Sequence, residues 1–236
     1  MAVRLLFTPK KDRIGVDIQE IKFEYFSGYS LSQKQKSIIS LHKECEKLGY
    51  KKILEVSTKS TVSLGVALSA FNLSTKTVQR GHIFSVEQAF QASKVFEKGG
   101  PYVDLLDKTS REAKLDTRLK TSGKLLYFKF YNMQFDRNPP TAFYDWLYIN
   151  VLMKNPGLIE QLENYDNFTD IEFNQNKSIN CQAYSVALFK SLIDHKVDLE
   201  LLKDSDKVKE FCREEYIQRW MSDSINIQSE LFDSNF

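Results

Sequence analysis

The chain has 236 residues, of which 42% are hydrophobic and 13% aromatic, and this composition is typical of a globular protein and excludes a disordered one. The formal net charge of +2 excludes a strongly basic nucleic-acid-binding protein on global grounds, although the first sixty residues are basic and residues 160–236 are acidic. The three cysteines and three histidines are widely spaced, so we expect no disulfide framework and no metal site.

The front of the chain alternates apolar and polar side chains, which predicts strands over residues 3–8 and 14–25. A helix capped by Ser30 or Ser32 is predicted to follow, and a buried strand over residues 51–57. These strands should build a small sheet.

The N-terminal residues lack the pattern of a signal peptide. The longest apolar region, Val62 to Leu73, is too short and too often interrupted by polar residues to span a bilayer. We therefore expect a cytoplasmic protein without membrane association.

A short helix in the Val62 to Leu73 region leads to Ser69 and Phe71, and residues 74–84 are predicted to form a β-hairpin or loop.

Residues 85–96 predict the central helix of the chain. Ser85 suits the N-cap position, and Gln88 can complete a capping box. No Gly or Pro interrupts the segment before Gly99.

Glu87, Gln91 and Lys94 are spaced i, i+4 and i+7, so they share one narrow stripe of this helix. On the residues alone, the stripe is either a solvated surface or a carboxylate, an amide and an amine that line a cleft.

A second, basic helix is predicted to begin at Thr109 or Ser110. Its Arg111, Lys114 and Arg118 lie at i, i+3 and i+7 and form one cationic face. This face either clamps phosphates or is ordinary surface.

A third helix is predicted from Thr141 to about Lys154, and it is hydrophobic nearly all round, which indicates a core position. Asp145 is the exception, because a carboxylate in so apolar a helix requires a partner or a function. Trp146 in the same helix is an aromatic side chain able to stack on a base.

The segment from Phe168 to Gln182 is polar and rich in turn-forming residues. It should lead into a helix from Cys181 to about His195, capped by Ser178 or Asn180. An uncovered helix N-terminus is a natural phosphate site.

The segments Leu68-Ser69-Ala70-Phe71, Ser85-Val86-Glu87 and Gln91-Ala92-Ser93-Lys94 resemble motifs of the NADAR family of YbiA-like N-glycosidases. That family shows a Leu-Ser-Asn-Phe element and then a Val/Ala-Glu-His-x-Phe-Gln-x-x-Lys helix. The chain departs from the pattern at Gln88, where His is usual, and at Ala70, where Asn is usual. Flanking segments, among them Phe168–Phe173 and Lys177–Gln182, resemble the antitoxins paired with DarT-type toxins.

The resemblance implies removal of ADP-ribose from guanine bases of DNA, with Glu87 and Lys94 as catalytic residues and no cofactor. It implies ADP-ribosylated DNA as substrate and a functional pairing with a DarT-type toxin. The substrate-binding residues expected from the motifs and their surroundings are Ser69, Phe71, Gln91, Arg118, Asp145, Trp146, Asp170, Glu172 and Asn180. Asp170 and Glu172 are the nearest acids to an Asp-x-x-Trp-Gly element that the family carries and this chain lacks.

Breaking an N-glycoside builds positive charge on the ribose, and the base leaves with a proton. Glu87 can stabilise that charge or manage the proton. Lys94 can attack the ribose carbon and form a Schiff base, or it can hold a phosphate or pair with Glu87.

Two other functions agree with the sequence. One is an N-glycosidase of phosphorylated riboflavin-pathway intermediates, and the other is a module that binds ADP-ribose or modified DNA without cutting it. We predict a predominantly helical α+β fold, with one YbiA-like domain over residues 1–220 and a loose polar tail over residues 221–236.

Overall fold

The computed structural model describes residues 1–77, 81–139, 141–175 and 178–217. Its fold is α+β with small sheets, and its helical residues outnumber those in strands, as the sequence predicted. The tail predicted over residues 221–236 lies outside the described residues. Within the described ranges, no helix combines the length and the apolar character needed to cross a membrane.

The largest sheet has four strands in the order β2-β1-β9-β3. They are β1 (Ala2–Pro9), β2 (Val16–Phe23), β3 (Ile53–Glu55) and β9 (Asn167–Thr169). The first three fall where apolar alternation and the buried run predicted strands. Strand β9 was not predicted, because three residues are too few to show a period. It pairs antiparallel with β1 and parallel with β3, which brings the polar segment after it beside the front of the chain.

Two smaller sheets follow. Strands β4 (Ser74–Lys76) and β5 (Ile83–Ser85) pair as the predicted hairpin. The other sheet contains β6 (Lys94–Phe96), β7 (Leu125–Phe130) and β8 (Met133–Asp136), in that order and antiparallel. No strand was predicted from the sequence where β7 and β8 lie.

The helices connect these sheets. They are α1 (Leu31–Lys47), α2 (Ser63–Ala67), α3 (Val86–Ala92), α4 (Ser110–Leu115), α5 (Arg118–Thr121), α6 (Ala142–Leu152), α7 (Pro156–Leu162), α8 (Gln182–Asp194) and α9 (Ser205–Phe211). Two 3₁₀ turns, at Val103–Asp107 and Leu199–Lys203, complete the described elements.

Helix α3 is shorter than predicted, because the chain changes from helix to strand after Ser93. The Ser93 hydroxyl donates to the carbonyl of Ala89 at 2.7 Å, and the Ser93 carbonyl accepts from the Lys129 amide of β7 at 2.7 Å. Lys94 therefore begins strand β6 opposite Phe128 instead of continuing the helix. Pairing with a distant strand overrides the local helical pattern here.

The main hydrophobic core surrounds α6, which is buried on all sides, as its apolar sequence predicted. Helices α3 and α8 pack against it. A second cluster fills the space between α1 and the hairpin β1–β2. Gly65 in α2 lies so close to strand β3 that a Cβ at this position would overlap the carbonyl oxygen of Glu55. This close packing fixes the segment that follows, which contains Ser69 and Phe71.

Candidate active site

A cleft of about 1250 Å³ lies between α3, α4, the segment around Ser69 and the loop that leads to α8. This volume exceeds the roughly 300–1,000 Å³ of ordinary small-molecule pockets, so the cleft can hold a dinucleotide-sized ligand. The predicted site residues that line it are Ser69, Phe71, Glu87, Gln91, Lys94, Asp170, Glu172 and Asn180.

The beginning of α3 is fixed by the predicted capping box. The Ser85 hydroxyl accepts from the Gln88 amide at 3.1 Å, and the Gln88 side chain accepts from the Ser85 amide at 2.7 Å. Gln88 also donates to the carbonyl of Leu106 at 3.0 Å, so the residue that replaces the usual His anchors α3 to the adjacent 3₁₀ turn. The Glu87 amide donates to the carbonyl of Ala70 at 2.9 Å, which joins the Ser69–Phe71 segment to the helix.

The stripe of Glu87, Gln91 and Lys94 is connected by hydrogen bonds inside the cleft. Gln91 Nε2 donates to Glu87 Oε1 at 2.9 Å, and Lys94 Nζ donates to Gln91 Oε1 at 2.8 Å. Glu87 is only 6% exposed and Gln91 only 7%. The stripe is therefore a connected carboxylate–amide–amine group in the cleft and not a solvated surface.

Lys94 has the environment of an amine that gives up its proton easily. Its Nζ lies 4.6 Å from the centroid of the Phe90 ring. Burial, partly opposed by the Glu87 carboxylate and assisted by the nearby Lys114 ammonium, lowers the pKa of Lys94 to about 8. At pH 7 roughly one molecule in ten then has this amine uncharged.

The segment with Ser69 and Phe71 forms one wall of the cleft. The Ala70 amide donates to the side-chain oxygen of Gln182 at 2.7 Å, which ties this wall to the start of α8. Ser69 is 1% exposed, and its Oγ has no hydrogen-bond partner among the described residues. Lys114 Nζ lies 5.0 Å from the centroid of the Phe71 ring.

Asp170 and Glu172, the two acids nearest to the missing family element, have different positions. Asp170 is 6% exposed, and its Oδ1 accepts from the amides of Glu172 and Phe173 at 3.0 and 3.1 Å. Burial raises the pKa of Asp170 to about 7, although these bonds and one from Gln182 oppose the shift. Glu172 is exposed and forms a 3.0 Å ion pair with Lys34.

Asn180 lines the cleft but does not cap α8, so the predicted cap is wrong. The N-cap residue is Cys181, which makes no side-chain capping bond, and Ser178 Oγ donates to the Asn180 carbonyl at 3.2 Å instead. Asn180 Oδ1 is buried, and none of the described residues donates to it. An unsatisfied buried oxygen costs about 1–3 kcal/mol, which a ligand donor can recover.

The predicted basic helix is two short helices, α4 and α5, and Arg118 does not have the substrate-binding position that was predicted for it. Helix α4 ends before Asp116, and Arg118 turns away to bond both Asp116 and Asp104 while stacking 4.4 Å from the Tyr102 ring. It does not line the cleft. A pair of neighbouring carboxylates competes successfully for the guanidinium.

Arg111 and Lys114 remain in the cleft. Together with Lys59 and Arg137 they form what we call the cationic rim. Lys114 Nζ lies 3.8 Å from Glu87 Oε1, so the rim approaches the stripe of Glu87, Gln91 and Lys94. Side chains of this kind favour phosphate groups at the mouth of the cleft.

Trp146 and Asp145 are also not in the cleft. Trp146 packs 4.8 Å from the Phe135 ring, donates its Nε1 hydrogen to the Lys203 carbonyl at 3.1 Å, and lines a separate cavity of about 430 Å³. Asp145 accepts a 2.6 Å bond from Ser185 inside the core. Tyr144 lines the cleft instead, because residues two apart on a helix point about 200° from each other.

Several residues of the cleft carried no individual signal in the sequence. They are Tyr29, Lys34, Lys59, Arg137, Tyr144 and Gln182. They come from several segments that are far apart in the chain, so only the three-dimensional arrangement joins them. The polar character of residues 58–63 is a sequence signal that could have indicated the segment of Lys59.

The described part of the chain contains no group of three or more His, Cys, Asp or Glu side chains that could hold a metal ion. The model of one protein family, described as DarT1-associated NADAR antitoxin, matches residues 2–221. No curated protein matches the sequence.

Proposed function

The chain belongs to the family of DarT1-associated NADAR antitoxins, and from this we propose that its cleft hydrolyses the N-glycosidic bond between ADP-ribose and a guanine base of DNA. Removing the modification would reverse the action of a DarT-type toxin. The observation that carries the proposal is the bonded group of Glu87, Gln91 and Lys94 in the cleft.

Lys94 acts as the nucleophile in this proposal. Its uncharged amine attacks the ribose carbon, and the bond from that carbon to the guanine nitrogen breaks. The attached sugar then opens to an imine on Lys94. Water adds to the imine and releases ADP-ribose, which restores the amine. The low pKa of Lys94 supports this role, because a protonated amine has no lone pair for the attack.

Glu87 has two roles in this proposal: it stabilises the positive charge of the transition state and it transfers a proton. An oxocarbenium-like transition state carries positive charge on the ribose, which a carboxylate in the cleft stabilises. The same carboxylate can accept the proton that the attacking nitrogen loses and pass it to the departing base. Among the described residues, Glu87 forms an ion pair only with the half-exposed Lys114, at 3.8 Å, and this weak contact leaves the carboxylate available for both tasks.

The rest of the cleft suits the other parts of the substrate. The cationic rim matches the pyrophosphate and the DNA phosphates. Phe71 offers a ring for stacking on a base, and the unpartnered oxygens of Ser69 and Asn180 match ribose hydroxyl groups, which both donate and accept. Asp170, with its pKa near 7, can hold a further hydroxyl.

Growth of cells that express a DarT1-type toxin tests the proposal. Coexpression of the wild-type chain should restore growth and remove ADP-ribose from the genomic DNA, whereas Glu87→Gln should do neither. If Glu87→Gln restored growth while the DNA stayed modified, the protein would be a binding module. If neither form restored growth, an enzyme of another N-glycoside, such as a riboflavin intermediate, would become the better account.

A further inference from the structure

The side-chain amide of Gln91 stands between the Glu87 carboxylate and the Lys94 amine. Its NH₂ group faces the carboxylate and its oxygen faces the amine, at 2.9 and 2.8 Å. This orientation of the amide fits both neighbours, because a carboxylate only accepts hydrogen bonds and a lysine amine donates whether or not it is charged. Both ends of the amide are thus engaged within the protein.

We propose that Gln91 is a positioning residue that holds the carboxylate and the amine toward the same point of the cleft while preventing their direct contact. The inference rests on the proposed function, in which both groups act on one ribose carbon. Gln91 is suited to this task because it is 7% exposed and lies one helical turn after Glu87.

Direct contact would keep the amine protonated, because an opposite charge within about 4–6 Å favours the charged form and raises the pKa of a lysine by about 1–3. With the amide between them, burial has the larger effect on Lys94. The charges that act on this amine are Glu87 from α3 and Lys114 from α4. The other charged side chains lining the cleft are Lys34, Lys59, Arg111, Arg137, Asp170 and Glu172.

A charge-conserving exchange tests this role. The double variant Glu87→Gln/Gln91→Glu keeps the same atoms and the same total charge but moves the carboxylate next to Lys94. The pKa of Lys94 is measured in the free protein from the pH dependence of its acetylation by acetic anhydride, with the labelled peptide quantified by mass spectrometry. Lys94→Arg identifies the peptide signal that belongs to Lys94. Gln161→Glu on α7 adds a charge outside the cleft and is the control for the charge that Gln91→Glu alone would add.

We expect the pKa of Lys94 to rise from about 8 to about 9 or higher in the double variant and to stay near 8 in Gln161→Glu. An unchanged pKa in a folded double variant would overturn the proposal. If the double variant does not fold, Gln91→Glu alone must show the same rise. The measurement needs no substrate, so a protein without glycosidase activity would disprove the proposed function while leaving this test intact.

Discussion

Raising the pH through about 8 should activate the Lys94 amine. At pH 7, a lysine with a pKa of about 8 is uncharged in roughly one molecule in ten, whereas one at 10.5 is uncharged in roughly three in ten thousand. Burial in the cleft therefore enriches the nucleophilic form by roughly 300-fold. The rate of the chemical step should increase about tenfold per pH unit below 8 and level off above it.

Single-turnover release of ADP-ribose from a modified oligonucleotide, followed between pH 6 and 9.5 at constant ionic strength, measures this dependence. Borohydride added during turnover should join the wild-type protein to ADP-ribose, because an imine is reduced to a stable amine. Lys94→Arg should lose both the activity and the borohydride-dependent covalent link to ADP-ribose, since a guanidinium stays protonated and cannot attack. A rate independent of pH would refute the nucleophilic role. If the affinity instead weakened as the pH rose past 8 and Lys94→Arg stayed active, Lys94 would be a phosphate contact.

Three further predictions concern charge and stability. Glu87→Gln should lower kcat by about 10²–10⁴ with little change in KM, measured by release of ADP-ribose with substrate in excess, and near-normal turnover would exclude this carboxylate from catalysis. The double variant Arg111→Ala/Lys114→Ala should reduce the slope of log affinity against log salt by roughly 1.5, whereas Lys120→Ala, outside the cleft, should leave it unchanged. Burial raises the pKa of Glu55 to about 8, so the folded state holds a proton that the unfolded state releases above about 4.5. Stability should therefore fall between pH 5 and 8, by at most about 1.4 kcal/mol per pH unit for this group, and Glu55→Gln should weaken that fall in thermal unfolding curves; a fall of the same size in Glu55→Gln would contradict the assignment.

The central helix shows how far local sequence patterns can predict a site. The capping box of Ser85 and Gln88 and the spacing of Glu87 and Gln91 are properties of neighbouring residues, so their geometry follows from the sequence. Lys94 reaches the predicted place by another route, since it lies on a strand and not on the helix. The chain changes from helix to strand before Lys94 because it pairs there with the distant strand β7, and no local sequence pattern predicts that pairing.

The site residues that were predicted wrongly failed for the same kind of reason, because contacts between distant segments decide where they lie. Arg118 was drawn away by Asp104 and Asp116, and a helical spacing of cations does not show which acids lie near them. Trp146 lies on the wrong side of a helix that is buried all round, where hydrophobicity gives no facing direction. Strand β9 was missed because it is too short to show a period, and the strands that it pairs with are far away in the chain.

Mass spectrometry of an oligonucleotide that carries ADP-ribose on one guanine tests the central claim most directly. Incubation with the wild-type protein should return the unmodified oligonucleotide and free ADP-ribose in equal amounts, and Glu87→Gln should give far less of both. A modified oligonucleotide that stays bound but intact, or an abasic product in place of restored guanine, would contradict hydrolysis of the bond between ADP-ribose and guanine in this cleft.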